Sequence, residues 1–292
     1  MNRDCVVYSK CEWYNLSGSI KDRVAYRMIA NAFLSNKLLK EQEIVEVTSG
    51  NMGLSLAAVG KHFGHKVTIF MPKNMSSERI KLLELLGANL ILVEDFNEAF
   101  KISEEYAREH NAFLTKQFEN KSNVAAHYYG TAEEICKFID ENSIDDKIFG
   151  FASGVGSGGT LTGVGTRLKE KYSAVITAID PYSTLLLTNG VPKGNHKIQG
   201  LNSNDVPKNY NSKLVDCIIE VTDEDAIAMT QKLNKAGYPV GISGGANFLG
   251  AVLSKEHISF TVFPDDNKKY ISTDLSKPIH TLLVDAIHII RQ

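Results

Sequence analysis

The stretch from Lys147 to Asp180 reads KIFGFASGVGSGGTLTGVGTRLKEKYSAVITAID. Lys147 to Ala152 has the apolar, β-rich character of a strand. The run Ser153-Gly154-Val155-Gly156-Ser157-Gly158-Gly159-Thr160 follows it. Thr160 to Lys171 has helical spacing, and Ala174 to Ile179 reads as a second strand. Strand, turn, helix and strand in that order make a βαβ unit, whose crossover sets the two strands parallel.

The same rhythm runs outward in both directions. Upstream, strands are expected at Cys5 to Lys10, Ile44 to Val47, Lys66 to Met71, Asn89 to Val93 and Phe113 to Thr115. Helical spacing separates them at Ser19 to Asn36, Asn51 to Phe63, Ser76 to Leu86 and Phe96 to Glu109, and continues from about Ser122 to Glu141. Downstream, strands are expected at Val215 to Val221 and Ile258 to Phe263, with helices over Asp223 to Ala236 and Gly245 to Glu256; Thr222 is an N-cap candidate. The class is therefore α/β, with two three-layer domains built on mainly parallel sheets. A closed barrel is disfavoured because the long Gly-, Asn- and Pro-rich loop from Ser183 to Pro207 interrupts any eightfold repeat. A loop of that length inside a compact domain is usually functional. Beyond Pro278, an apolar stripe at helical spacing predicts a docked terminal helix.

Composition narrows the function classes. The 292 residues carry 32 Lys+Arg against 34 Asp+Glu, a formal charge of −2, with 43% hydrophobic and 23% charged residues. These values exclude collagen-like and wholly disordered chains. They leave no excess of positive charge to neutralise nucleic-acid phosphates. Cys5, Cys11, Cys136 and Cys217 form no CxxC pair and no zinc-ligand spacing, so reduced thiols in a cytoplasmic protein, without a metal, are expected. Met1-Asn2-Arg3-Asp4 leads into no apolar signal region, and no run of about 18 apolar residues predicts a membrane span.

Four segments invite chemistry. In Ser17-Gly18-Ser19-Ile20-Lys21-Asp22-Arg23, a lysine enters the first turn of a helix, where the dipole disfavours a cation. Such a lysine is either a solvated surface residue or an amine available for a Schiff base. Thr48-Ser49-Gly50-Asn51-Met52-Gly53 brings hydroxyls and amides to a helix start, which makes either an ordinary capped turn or a carboxylate site. The glycine run of Ser153 to Thr160 suits a phosphate. It also contains G-x-G-x-x-G at Gly154, Gly156 and Gly159, and Asp180 follows where a ribose-binding acid belongs, so a nicotinamide-binding oxidoreductase competes. In Gly241-Ile242-Ser243-Gly244-Gly245-Ala246, Ser243 either belongs to one more capped turn or offers its hydroxyl to a ligand ring atom.

Taken together, the order SGSIKDR, TSGNMG, GVGSGGT, GIS resembles the cysteine synthase and cystathionine β-synthase group of fold-type II pyridoxal-phosphate enzymes, from about Cys5 to about Thr273. The intermediate stretches Gln117 to Asn120, His196 to Gly200 and Pro264-Asp265 fit as well. The resemblance implies that Lys21 holds pyridoxal phosphate as a Schiff base and takes the substrate's α-proton. It implies that Gly156, Ser157, Gly158, Gly159 and Thr160 cradle the phosphate. Asn51 would bond the ring hydroxyl and Ser243 would face the pyridine nitrogen. Thr48, Ser49, Met52 and Gln117 would surround the substrate α-carboxylate. The implied reaction is β-replacement or β-elimination on O-acetylserine, cysteine or serine through an aminoacrylate, with sulfide, a thiol or water as nucleophile. Also implied are a homodimer and a smaller mobile domain over 25–127 that closes on the substrate. The larger, cofactor-binding domain would comprise 1–24 and 128–277, followed by a tail helix over 278–292.

Three departures stand out. Met52 replaces the usual Thr, and Leu16 replaces the usual Pro. After Gln199-Gly200-Leu201, where the family has a small apolar stretch, this chain has Asn202-Ser203-Asn204-Asp205. That stretch lies near the entering nucleophile in the family. Asp205, and behind it Asn202 or Asn204, is therefore expected to polarise an attacking water or thiol. Cysteine and water would then give serine and hydrogen sulfide. The competing readings are the oxidoreductase above and a catalytically silent relative that binds pyridoxal phosphate. Against the family, Lys21 falls early by a segment on the order of twenty-odd residues, which implies a late start or a first strand supplied differently.

Overall fold

The computed structural model describes residues 4–144, 149–202 and 204–290. Lys147 and Ile148, expected to open a strand, lie outside the described residues, as do Ser203 of the nucleophile-side stretch and the chain ends 1–3 and 291–292. The first half runs β1 (Val6–Cys11), α1 (Lys21–Leu34), β2 (Ile44–Val47), α2 (Asn51–His62), β3 (Val67–Pro72), α3 (Ser77–Leu85), β4 (Asn89–Val93), α4 (Phe96–Glu109), β5 (Phe113–Leu114), α5 (Lys121–Ala126) and α6 (Ala132–Glu141). The second runs β6 (Gly150–Gly154), α7 (Gly159–Tyr172), β7 (Val175–Pro181), α8 (Leu186–Asn189), β8 (Cys217–Val221), α9 (Asp223–Lys235), α10 (Ile242–Leu253), β9 (Ile258–Phe263) and α11 (Leu282–Asp285).

The strands form two sheets, in the orders β1-β9-β6-β7-β8 and β4-β3-β2-β5, and every pairing between them is parallel. Parallel strands covered on both faces read as continuous apolar runs. In β7, Ile176 and Ala178 enter the core that includes Phe151, Leu161 and Phe260, while Ile179 enters the opposite core with Val221, Leu249 and Phe263. The four-stranded sheet is likewise covered by α1 and α2 residues on one side and by α4 on the other. The apolar pattern passes from one sheet's core to the other between Ile20 and Val24, and again between Ala126 and Ala132. No helix among the described residues is long and apolar enough to cross a membrane.

Two expected helices are corrected. The helix of Ser122 to Glu141 is broken by a π-helical turn at His127–Thr131, where the chain must carry a buried His127 against α7. A Cβ at Gly163 of α7 would stand 2.5 Å from the Val124 carbonyl oxygen, so the two segments meet at backbone distance. The terminal helix is a single turn, Leu282–Asp285, capped by Thr281. Its flanking carbonyls are taken by side chains: Lys232 Nζ bonds Val284 O at 2.7 Å, and Gln231 Nε2 bonds Lys277 O at 2.6 Å. The apolar stripe is real as a docking strip, because Ile279, Leu283, Ile287 and Ile289 pack on the α9–α10 core. The long loop holds one short helix, α8, and is otherwise irregular, as its composition predicts.

Candidate active site

Three βα turns and the start of α1 meet at the C-terminal edges of the two sheets, the usual place for ligands in wound sheets. They enclose a cavity of about 500 Å³ lined by Lys21, Thr48, Ser49, Asn51, Met52, Gln117, Gly156, Ser157 and residues 199–202 and 204–208.

Lys21 is the first residue of α1. Its Nζ donates to Ser157 Oγ at 3.2 Å, which ties the start of α1 to the glycine turn after β6. Loss of hydration lowers its ammonium from 10.5 to about 8, with the nearby Glu46 opposing the shift. A neutral amine is thus accessible close to neutrality.

At the glycine turn, side chains are excluded by contact. Gly158 has φ +80°, a conformation glycine favours, and a Cβ there would stand 2.6 Å from the Tyr210 amide nitrogen. A Cβ at Gly156 would collide with the Gly200 carbonyl, and one at Gly159 with the Asn123 side chain. Asn123 Nδ2 in turn donates to Ser157 Oγ at 2.8 Å. Thr160 Oγ1 lies 3.3 Å from His127 Nε2, whose ring burial holds neutral. The first intrahelical bond of α7 runs from Thr162 N to Gly158 O, so the preceding amides point out of the helix start, as an anion requires.

The turn after β2 works differently. Thr48 is buried and its Oγ1 accepts from Gly50 N at 3.1 Å. Leu54 N makes the first α2 bond, to Gly50 O at 3.0 Å, which leaves the amides of Asn51, Met52 and Gly53 for an anion. Asn51 Nδ2 donates to Asp265 Oδ2 at 2.7 Å, and its Oδ1 is buried without a partner. Gln117 is held beside this turn by Nε2 to Val47 O at 3.1 Å and by N to Glu46 Oε2 at 3.0 Å. Met52 is almost fully buried, with its side chain in the sheet core.

Ser243 sits in the first turn of α10, which begins at Ile242, three residues ahead of the predicted Gly245 start. A Cβ on Gly200 would stand 3.4 Å from Ser243 Oγ, so Ser243 backs the cavity wall at that point. Asp205 is exposed at the rim and also lines an adjoining depression with Asn97 and residues 192–195. Asn202 organises its turn: Asn202 N bonds Val155 O at 2.9 Å, its Nδ2 bonds the Asp205 carbonyl, and Asn204 N bonds its Oδ1 at 3.3 Å. Asp180 does not line this cavity. It is fully buried, and its Oδ2 accepts from Thr188 N and Oγ1, both at 2.9 Å. That oxygen is taken by the first turn of α8, and Asp180 does not line the cavity at the glycine turn, which disfavours the ribose-binding role.

Two participants went unread in the sequence. Glu46 is the lone acid of a buried strand, and burial pushes its carboxyl up to about 7 against hydrogen bonds from Thr115 Oγ1 and the Val47 and Gln117 amides. The charge inside Ile44-Val45-Glu46-Val47 was the available signal. Arg79, buried against the Tyr270 ring at 4.7 Å, bonds Gln199 and closes the cavity floor. Nothing local in the sequence of α3 points to it.

The arrangement fits one cofactor type. An amine of lowered basicity, a backbone anion cradle and an unpartnered buried amide oxygen converge, and these are the partners of an aldehyde, a phosphate and a ring hydroxyl. Comparison with known proteins agrees. The family model described as "Pyridoxal-phosphate dependent enzyme" matches residues 2–261. The chain is 42% identical over 279 residues to cysteine synthase B of Campylobacter jejuni, covering 92% of this chain and 91% of that protein. It superimposes on a hydrogen sulfide-producing enzyme from Fusobacterium nucleatum with a TM-score of 0.90 at 41% identity, covering 96% of this chain and 87% of that one. A variant of a hydrogen sulfide-producing enzyme in complex with an α-aminoacrylate intermediate gives a TM-score of 0.91 at the same identity and coverage.

Proposed function

The chain belongs to the family of pyridoxal-phosphate dependent enzymes, and from that premise we propose that it replaces the β-substituent of cysteine with hydroxyl, releasing hydrogen sulfide and forming serine. It is cysteine synthase-like; the choice of first substrate and nucleophile is our reading. The observation that carries it is the Asn202–Asp205 turn, which sets a carboxylate at the cavity rim. The solved neighbours that make hydrogen sulfide support it.

Pyridoxal phosphate, when bound, supplies the electron-withdrawing ring that makes a substrate α-proton removable. In our reading Lys21 holds the cofactor's aldehyde carbon until the substrate amine takes its place, and the freed Lys21 amine then takes the α-proton. The Gly156–Thr160 backbone and Ser157 hold the phosphate, Asn51 meets the ring hydroxyl and Ser243 the ring nitrogen. Thr48, Ser49, Gln117 and the Met52 amide receive the α-carboxylate. The C–S bond breaks and sulfide leaves; Asp205 accepts a proton from the entering water as the C–O bond forms. The proton from water passes to the released hydrosulfide and Lys21 returns the α-proton to Cα, so cysteine and water balance serine and hydrogen sulfide with no oxidant or reductant. Residues 25–127 close over the carboxylate in this proposal, and two copies of the chain associate.

The test is a substrate panel. The parent and Asp205→Asn are given cysteine alone, and separately O-acetylserine plus sulfide. Sulfide release from cysteine falls at least about tenfold in the variant, and cysteine formation from O-acetylserine persists. Equal sulfide release by the two proteins overturns the role of Asp205. A parent that forms cysteine and releases no sulfide makes this a sulfur-fixing enzyme instead.

A further inference from the structure

Asp265 follows β9 through Pro264 and is fully buried. Its main chain and side chain reach three segments far apart in sequence. Asp265 pairs with Ser19 in an antiparallel bridge, and Ile20 N bonds Pro264 O at 2.8 Å, immediately before Lys21. The Asp265 carbonyl accepts from Gly241 N at 3.1 Å, two residues before Ser243. Its carboxylate Oδ2 accepts from Asn51 Nδ2 and from the Tyr270 hydroxyl, both at 2.7 Å. Gly241 is obligatory here, because a Cβ would collide with Asp265 Oδ1.

The chemistry of the carboxylate has a directional consequence. A carboxylate only accepts hydrogen bonds, so Asn51 must turn its NH2 towards Asp265. The amide oxygen of Asn51 then faces away, and it is buried without a protein partner. Tyr270 stays a donor, since burial and the adjacent carboxylate hold its hydroxyl protonated. Arg79 over the Tyr270 ring offsets the buried negative charge.

We propose that Asp265 is a positioning residue that sets Lys21, Asn51 and Ser243 in register around the cofactor ring and fixes which end of the Asn51 amide the ring meets. This inference rests on the preceding reading of those three residues as cofactor contacts.

The test uses the apoprotein titrated with pyridoxal phosphate. The readouts are the dissociation constant, the position of the visible band and the Tm. Asp265→Asn keeps both backbone bonds and can offer its own NH2, so it releases the amide orientation alone. It is expected to weaken cofactor affinity at least about tenfold and to displace the visible band. Tyr270→Phe, a milder change, should move both in the same direction by less. In an Asn51→Ala background, Asp265→Asn should no longer move the band. An unchanged affinity and band in Asp265→Asn overturns the proposal, as does an undiminished effect in the Asn51→Ala background. If Asp265→Asn fails to fold, Tyr270→Phe with and without Asn51→Ala decides by the same criteria. A parent in which Lys21→Ala leaves the visible band intact defeats the underlying reading of the site instead, and is recognised without any Asp265 variant.

Discussion

The turns after β2 and β6 occupy matching places, each at the C-terminal end of a parallel strand and the start of a helix, yet they are built with different emphasis. The β6 turn works by absence: Gly156, Gly158 and Gly159 lie where a Cβ meets Gly200, Tyr210 or Asn123. The β2 turn adds presence to this: Gly50, where a Cβ would meet Arg79, is braced by Thr48, and Asn51 is held by Asp265. The first fails when an atom is added; the second fails that way at Gly50 and also when a functional group is removed. A phosphate has three similar oxygens and is served by converging amides. A ring hydroxyl and a carboxylate need oriented partners, which only side chains fixed from behind can provide.

The comparison can be broken at its hardest point first. Gly159→Ala drives a methyl into Asn123, which braces Ser157, so the anion cradle and the contact to Lys21 shift together. The expected outcome is a loss of pyridoxal-phosphate affinity of about 100-fold and a stability cost of about 1–3 kcal/mol, read by titration and denaturant unfolding. A variant with parental affinity would show that the β6 turn does not depend on close approach. Asn51→Ala comes next. Removing a hydrogen bond to a charged group costs about 1.5–3 kcal/mol, hence about tenfold or more in cofactor affinity, with the phosphate cradle left intact.

A pH experiment sharpens the contrast at the lysine between the two turns. The Lys21 ammonium is lowered to about 8, so the neutral amine is scarce below that pH and dominant above it. The rate at which apoprotein captures pyridoxal phosphate should rise about tenfold per pH unit below 8 and level off above it. Glu46 raises this value, so Glu46→Gln should move the plateau to lower pH. A shift to higher pH, followed by absorbance, would contradict that sign. The smallest effect is expected from Met52→Thr. The Met52 amide stands at the helix start whichever side chain follows, so KM for the amino acid should change by about threefold or less. A change beyond tenfold would mean that a side-chain hydroxyl matters here as well.

Both turns were legible because their causes are local. Glycines cost entropy unless something approaches closely, and small polar residues mark the start of a helix. Strands such as Ile258–Phe263 and Asn89–Val93 appear at the predicted limits because their apolar runs are bounded by turn residues. Pro264-Asp265 was marked only by the family resemblance, and nothing local gave Asp265 its role: its bond to Asn51 spans 214 positions and exists only once β9 lies beside the start of α1. The tail misled for a related reason. Its apolar spacing records docking against α9 and α10, and docking does not require intrahelical bonds. The π-helical turn at His127 answers to the backbone of α7 rather than to its own residues.

The turn at Asn202–Asp205 hangs from the rest of the site by little: the Asn202 amide on Val155, and His196 Nε2 at 3.2 Å from the Asn202 carbonyl. Among its described residues, no side chain bonds Lys21, Asn51, Ser243 or the glycine cradle. The segment can therefore be exchanged without displacing those groups. Under the proposed reading, an exchange in this segment changes the entering nucleophile and leaves the cofactor's partners in place.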